Sequence, residues 1–313
     1  MFMNIMIGIP AYNEEKNIAI LISKLKKITD SIIVCDDGST DLTADIAEKM
    51  GAKVVKHERN KGYGEAIKTI FSHAGKMDVD VLVTFDADGQ HRIEDIEKVL
   101  DPIKNNKADM VIGSRFLNSQ KIPKYRKAGI KAITELTNIA GGTKITDSQS
   151  GFRAYNKKIL EVIKPTDSGM GISTEIIIKA HKAGCKIAEV PITILYAGDT
   201  STHNPVSHGS SVVFSTLKYA AIERPLTSYG IPGLFFLLLG LVFGFWSLQI
   251  YLEQGQLITN LAIIGGGGIL LECRVILPEV TSKSYQMDSS GLSNSEYTQH
   301  GGPSTTCSCL HLQ

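Results

Sequence analysis

Asp86, Asp88 and Gln90 lie in the run Asp86-Ala87-Asp88-Gly89-Gln90-His91, directly after the apolar stretch Val79–Phe85. Oxygen donors at alternate positions at the end of a buried strand suit a hard divalent cation. Mg²⁺ or Mn²⁺ held by so few side chains keeps positions open for phosphate oxygens, which points to chemistry on a nucleoside diphosphate. The same residues also suit a strand end followed by an Asp-Gly turn, where acidic side chains are common for backbone reasons. Two further loops bear on that choice. Pro10-Ala11-Tyr12-Asn13-Glu14 leaves the first apolar stretch through a proline turn, so its backbone and the Glu14 carboxylate can line a pocket. Asp36-Asp37-Gly38-Ser39-Thr40-Asp41 follows the second stretch, with Ser39 or Thr40 suited to cap a helix. Acidic side chains in these loops can accept from a base N–H or a ribose hydroxyl. Each loop alone is also ordinary turn chemistry, but three on one edge are hard to obtain from capping alone. Gly62-Tyr63-Gly64 lacks the third glycine of a dinucleotide-binding fingerprint, and no Gly-rich lysine loop of the P-loop kind occurs.

The loops need a scaffold, and the hydrophobic pattern supplies one. Strands are expected over Asn4–Ile9, Ser31–Cys35, Ala52–Lys56, Val79–Phe85 and Ala108–Ile112, alternating with helices over Glu14–Ile28, Asp41–Met50, Gly64–His73, Ile93–Lys104 and Arg126–Ala140. Such alternation predicts βαβ units and a largely parallel sheet, whose ligands bind at the carboxyl ends of the strands. Beyond Asp147 the run Ser150–Tyr155 is followed by helices over Asn156–Ile163 and Ser173–Ala183, then short strands at Lys186–Val190 and Thr193–Tyr196.

With 313 residues, 43% of them hydrophobic, the chain is too apolar for disorder and long enough for one large α/β domain plus an appendage. A net charge of +1 gives no ground for a nucleic-acid partner. Of 33 Lys and Arg, only Arg274 and Lys283 follow Arg224, and Pro225–Leu252 carries no ionisable acid or base. Ile231–Leu252 exceeds the roughly 20 residues a helix needs to cross a bilayer. It reads as a transmembrane helix, with a buried core helix as the bland alternative. The basic portion before it is expected on the cytosolic face by the positive-inside tendency. Met1–Ile9 is too short for a signal peptide and shows no small-residue cleavage site. Val213, Leu217, Ala220 and Ala221 recur at helical spacing just before the span, which fits an interfacial helix or an ordinary surface helix. Leu257–Leu271 begins like a second span and stops short. From Glu272 onward apolar periodicity is lost, as in a frameshifted end or a genuine disordered tail. The five cysteines show no metal-ligand spacing, and Cys35 and Cys185 read as buried thiols.

Five motifs in this order carry a resemblance: Ile9-Pro10-Ala11-Tyr12-Asn13-Glu14, Asp36–Asp41, Asp86–His91, Gly113-Ser114-Arg115 and Ser150-Gly151-Phe152-Arg153. Over about residues 4–200, together with the amphipathic segment and the first span, the chain resembles the inverting family 2 glycosyltransferases of the GT-A fold. Within them it is most similar to the dolichol-phosphate mannose synthases and related polyprenyl-phosphate glycosyltransferases. The resemblance implies a Rossmann-like α/β catalytic domain with a mostly parallel sheet over 1–205. An amphipathic interface helix would follow over 206–226, a C-terminal transmembrane region over 227–271, and a tail over 272–313. It also implies that Pro10, Tyr12, Glu14, Asp37 and Asp86 bind the nucleotide sugar. Asp86, Asp88 and Gln90 would gather Mg²⁺ or Mn²⁺, and Arg115 and Arg126 would act with Asp88 on the phosphates. Arg153 fits either a structural carboxylate or the substrate, and Glu175 and Glu189 read as structural. Where relatives often place a basic residue after the last strand, this chain offers only His203 and His208.

The implied partners are a nucleotide-sugar donor (GDP-mannose or a UDP-sugar), a dolichyl or other polyprenyl phosphate, and the bilayer. A lipid phosphate is already anionic at neutral pH, its second pKa being about 6, so it needs no general base. With a sugar hydroxyl as acceptor, Asp147 would be the carboxylate to inspect. Mannosyl transfer from GDP-mannose is the first expectation. UDP-glucose or UDP-N-acetylhexosamine donors, a glycan acceptor, or a non-catalytic nucleotide-sugar-binding membrane protein are the alternatives.

Overall fold

The computed structural model describes residues 3–118, 122–195 and 231–255. The chain divides into two units, Met1–Arg224 and Pro225–Gln313. The first is built on seven strands: β1 Ile5–Ala11, β2 Ile32–Asp36, β3 Lys53–Lys56, β4 Val81–Thr84, β5 Met110–Ser114, β6 Arg153–Asn156 and β7 Ile187–Pro191. Their order is β3-β2-β1-β4-β6-β5-β7. Neighbours run parallel except at β6, which is antiparallel to both β4 and β5.

β2 and β5 are buried at every position, as strands covered by helices on both faces must be. Alternation along each strand then feeds two cores. Ile7, Ile9, Val34 and Val83 face one, with α1 (Ile18–Leu25) and α4 (Ile96–Lys104) packed on it. Met6, Ile33, Cys35 and Leu82 face the other, covered by α3 (Tyr63–Lys76), α6 (Lys157–Val162) and α7 (Ile172–Lys182). In α1 the buried set Ile18, Leu21, Ile22 and Leu25 follows helical spacing. Each fully buried side chain of this kind contributes roughly 1.5–3 kcal/mol before ordering costs. Among the described residues this unit also has the α-helices α2 (Thr43–Lys49) and α5 (Lys124–Gly141).

Three local expectations give way. The helix expected from Glu14 starts at Ile18, because Asn13 takes a left-handed φ of 55° and the residues after it close a loop. Ser39 and Thr40 do not cap α2: Ser39 Oγ accepts from Asn13 N–H at 2.9 Å, and Asp41 Oδ1 accepts from Thr43 N–H at 3.0 Å instead. Thr193–Tyr196 is no strand over its described residues; Ile194 forms an isolated bridge with His91.

In the second unit α8 runs over Ile231–Gln254, and Gly233–Glu253 is long and apolar enough to cross a membrane. Phe245 is 71% exposed and Leu252 76%, which argues against a buried core helix. The expected interface helix, His203, His208, the second apolar run and the tail lie outside the described residues.

Candidate active site

Every loop named in the motifs leaves the carboxyl end of a strand on the same sheet edge, except the one that enters β6. Asp86 and Asp88 sit just past β4, Glu14 past β1, and Asp37 past β2. Burial pushes the Glu14 carboxyl above its ordinary value against a hydrogen bond from Asn17 Nδ2 (2.9 Å), and the charges of Asp88, Asp41 and Asp86 add to the rise. Burial also raises Asp88, Asp86 adds to it, and the Gln90 amide (3.0 Å), His91 and Arg126 oppose it. Glu14, Asp41, Asp86 and Asp88 therefore share one negative environment, with Arg126 of α5 as a nearby cation. A concentration of partly buried negative charge favours a cation.

The floor of this cluster is β6 and the residues before it. A Cβ placed on Gly151 would lie 2.6 Å from both Asp86 carboxylate oxygens, so only glycine lets the carboxylate rest there. Thr84 Oγ1 donates to the Gly151 carbonyl at 2.7 Å and fixes its height. Phe152 stacks edge-on with Phe85 at 5.0 Å between ring centres. Arg153 is buried, and its guanidinium donates to the carbonyls of Ser150 (2.7 Å), Ser148 (2.7 Å) and Ser173 (2.9 Å). It thus pairs neither with a structural carboxylate nor with the exposed site, and instead ties the loop before β6 to the first turn of α7.

Arg115, one residue past β5, meets Asp147 in a bidentate pair: Nε donates to Oδ2 and Nη2 to Oδ1, each at 2.7 Å. Asp147 is fully buried and also accepts from the Arg115 amide at 3.1 Å. A planar guanidinium gripped in this way is held in one orientation. Glu189 of β7 holds the same loop by accepting from the amides of Thr146 (2.8 Å) and Asp147 (3.0 Å). Glu175 plays the equivalent part for Thr166 and Asp167, whose amides it accepts at 2.8 Å and 2.7 Å. Both glutamates are therefore structural, as their sequence context suggests.

Asp37 is buried, and its carboxylate accepts from His57 Nδ1 (2.7 Å), Gly62 N–H (2.7 Å) and Lys61 N–H (3.0 Å). Cys35 Sγ lies 3.6 Å from His57 Nε2, completing a line of thiol, imidazole and carboxylate. It is not a nucleophile: burial pushes the thiol up to about 12. His57 Nε2 also meets Thr69 Oγ1 at 2.9 Å, so the imidazole braces Asp37 against α3. Neighbouring Asp36 is fully buried. Its Oδ2 has no hydrogen-bond partner among the described residues, and the contact with Lys56 Nζ at 3.9 Å is an attraction too long to count as a bond. Pro10 lies within β1, and Tyr12 stands 38% exposed at the rim.

Among the described residues no three His, Cys, Asp or Glu side chains form a preformed metal cage. Mg²⁺ needs none, since one or two carboxylates with phosphate oxygens and water satisfy it. The paired Asp86 and Asp88 carboxylates, the Gly151 cradle and the hard-oxygen donor set fit such an ion. Residues to which the motif reading gave no role also shape the site. His91 touches Asp86, and Tyr63 in the first turn of α3 is partly buried; withdrawal from solvent first, and then the nearby Asp86 and Asp88 charges, lift its hydroxyl well above the ordinary tyrosine value. His91 closes the acidic motif and Tyr63 sits between Gly62 and Gly64, but nothing in the sequence assigned either a role at the site.

A family profile described as Glycosyl transferase family 2 matches residues 6–164. An uncharacterized protein of Methanocaldococcus jannaschii is 39% identical over 217 residues, 67% of this chain and 86% of its own length. A UDP-N-acetylglucosamine–dolichyl-phosphate N-acetylglucosaminyltransferase of Methanococcus voltae is 37% identical over 66% of this chain and 89% of its own. A dolichol-phosphate mannosyltransferase of Pyrococcus furiosus is 35% identical over 61% of this chain and 56% of its own. Among solved structures, glucosyl-3-phosphoglycerate synthase from Mycobacterium tuberculosis, in complex with Mn²⁺, UDP-glucose and phosphoglyceric acid, shares the fold. Its TM-score is 0.56 at 20% identity, covering 70% of this chain and 80% of that one.

Proposed function

The chain belongs to glycosyl transferase family 2, and from that premise we propose that it transfers a hexosyl group from a nucleoside diphosphate sugar to a membrane polyprenyl phosphate, with inversion. The carrying observation is that Glu14 and the Asp86–Asp88 pair leave the carboxyl ends of β1 and β4 on one sheet edge, partly buried and within reach of one another's charge, with Gly151 beneath Asp86. Pro10, Tyr12, Glu14 and Asp37, which lie along that edge, would hold the nucleoside. Asp86, Asp88 and Gln90 would hold Mg²⁺ or Mn²⁺, which when bound supplies Lewis acidity toward the leaving diphosphate. Arg115 and Arg126 would neutralise phosphate charge on donor and acceptor, the first held rigid by Asp147.

A phosphate acceptor brings its own negative oxygen, so the site needs no general base. Asp147 supports that reading, because both its oxygens are engaged by Arg115 and it is fully buried. An apolar helix at Ile231–Gln254 supports a bilayer-anchored enzyme drawing its acceptor from the membrane, with the basic domain on the cytosolic side.

Mannose from GDP-mannose to dolichyl phosphate is the first reading of the donor and acceptor. A second, UDP-N-acetylglucosamine as donor, is favoured by the 37% identity to the Methanococcus voltae transferase over 89% of that protein. Detergent-solubilised protein incubated with radiolabelled GDP-mannose or UDP-sugars, dolichyl phosphate and Mn²⁺, then extracted into organic solvent, decides between them. Label in the lipid phase is expected. Label only with a UDP donor overturns mannose, and none with any donor overturns the lipid acceptor.

A further inference from the structure

His91 turns inward from the acidic loop. Its side chain is 6% exposed, edge-on to Phe85 at 5.5 Å between ring centres and tilted against Phe152 at 5.2 Å. Nε2 lies 3.2 Å from Asp86 Oδ2, while Nδ1 is buried without a hydrogen-bond partner among the described residues. A carboxylate only accepts, so Nε2 carries the hydrogen in this contact. The main chain is held as well: His91 bridges Ile194, and Leu195 N–H donates to the Gln90 carbonyl at 2.8 Å.

Asp86 is therefore bounded twice. Gly151 presents a surface with no side chain against both carboxylate oxygens, and His91 tethers one of them. A short carboxylate with a floor but no tether could turn about its Cβ–Cγ bond; the histidine removes that freedom. An aromatic slot between Phe85 and Phe152 would accept phenylalanine equally well, and leaving Nδ1 buried and unpaired has a cost. Packing alone does not account for the imidazole.

Resting on the reading of Asp86, Asp88 and Gln90 as the cation's ligands, we infer that His91 is a positioning residue that fixes the Asp86 carboxylate for the ion. Ligating carboxylates are commonly oriented by such outer hydrogen bonds, and losing one weakens metal affinity 10- to 100-fold.

The test is Mn²⁺ titration of the solubilised full chain, alone and with UDP, followed by the electron paramagnetic resonance signal of free Mn²⁺. Melting temperatures are measured in parallel. Asp88→Ala should abolish binding; if it binds as the parent does, the ligand assignment itself fails and the inference with it. His91→Phe should keep the melting temperature and bind Mn²⁺ about tenfold more weakly. His91→Gln, which carries an N–H close to the Nε2 position, should recover most of the affinity. Should His91→Phe not fold, His91→Asn, whose shorter side chain draws the donor away, takes its place. Unchanged Mn²⁺ affinity in a folded His91→Phe overturns the inference. Equal weakening in the Phe and Gln variants does so too, because it marks His91 as packing alone.

Discussion

Replacing Gly151 with alanine adds one methyl group where the Asp86 carboxylate rests, 2.6 Å from each oxygen and 2.9 Å from Cγ. Ordinary contact for an added Cβ begins near 3.4 Å, so the carboxylate must retreat by most of ~1 Å. Gly151 is not among the glycines with positive φ, so alanine meets no backbone penalty there, and its lower unfolded-state entropy stabilises by about 0.4–1 kcal/mol. The strain falls on the end of one short, partly exposed side chain, whose tether, the 3.2 Å contact to His91, can give way. Stability should accordingly change by less than about 1 kcal/mol, against the 1–3 kcal/mol typical of overpacking that cannot relax. Function should suffer far more, since misplacing a reacting group by about 1 Å costs on the order of 100-fold in rate. The assay pairs urea unfolding with label transfer to lipid across a Mn²⁺ series. The expected result is an unchanged midpoint, weaker Mn²⁺ dependence and turnover down about 100-fold. A variant that retains full turnover and Mn²⁺ affinity refutes the reasoning, as does one that unfolds without altered metal response.

Gly38→Ala provides the contrast: Gly38 has φ of 73°, and its added Cβ would meet the Arg59 backbone at 2.4 Å. Backbone cannot swing aside, so a loss of about 1–3 kcal/mol is expected in the urea midpoint. Arg115→Ala leaves buried Asp147 without its bidentate partner and should cost about 3–5 kcal/mol. Lys104→Ala, at the exposed pair with Glu97, should cost no more than about 1 kcal/mol. A pH series of thermal melts tests the acidic cluster. Because burial holds Asp88 and Glu14 above their ordinary values, the folded chain keeps protons that the unfolded chain has released. Their contribution to stability therefore falls as pH rises from the ordinary carboxylate range through the raised values. Mn²⁺ should recover the loss, giving a melting-temperature gain that grows with pH; a pH-independent gain counts against the site.

The acidic loops were legible because each follows a strongly apolar strand, and a carboxylate at such a strand end has few structural reasons to recur three times. β6 was not legible. Arg153–Asn156 is four residues long, mixes charged, aromatic and polar side chains, and gains its place only by pairing with β4 and β5 far along the chain. The role of Gly151 was hidden with it, since a glycine's neighbour across a sheet leaves no local trace. Arg153 was recognisable as part of a motif, but a guanidinium satisfied by three carbonyls imposes no sequence partner that could be sought. Ser39 and Thr40 looked like caps because their type suits that role, yet the contacts between the Asn13 and Ser39 loops are tertiary and override it.

The bond from Thr84 to the Gly151 carbonyl spans 67 residues. A ribosome adding about 5–20 residues per second releases the platform beneath Asp86 several seconds after β4 itself. Pairings between distant segments also form late, because loop closure precedes any reward from contact. The first acidic loops can thus be in place on a nascent domain that does not yet have the Asp86 cradle, so ion capture should arise near the end of folding. Ribosome-bound chains halted before residue 150 would be expected to lack it.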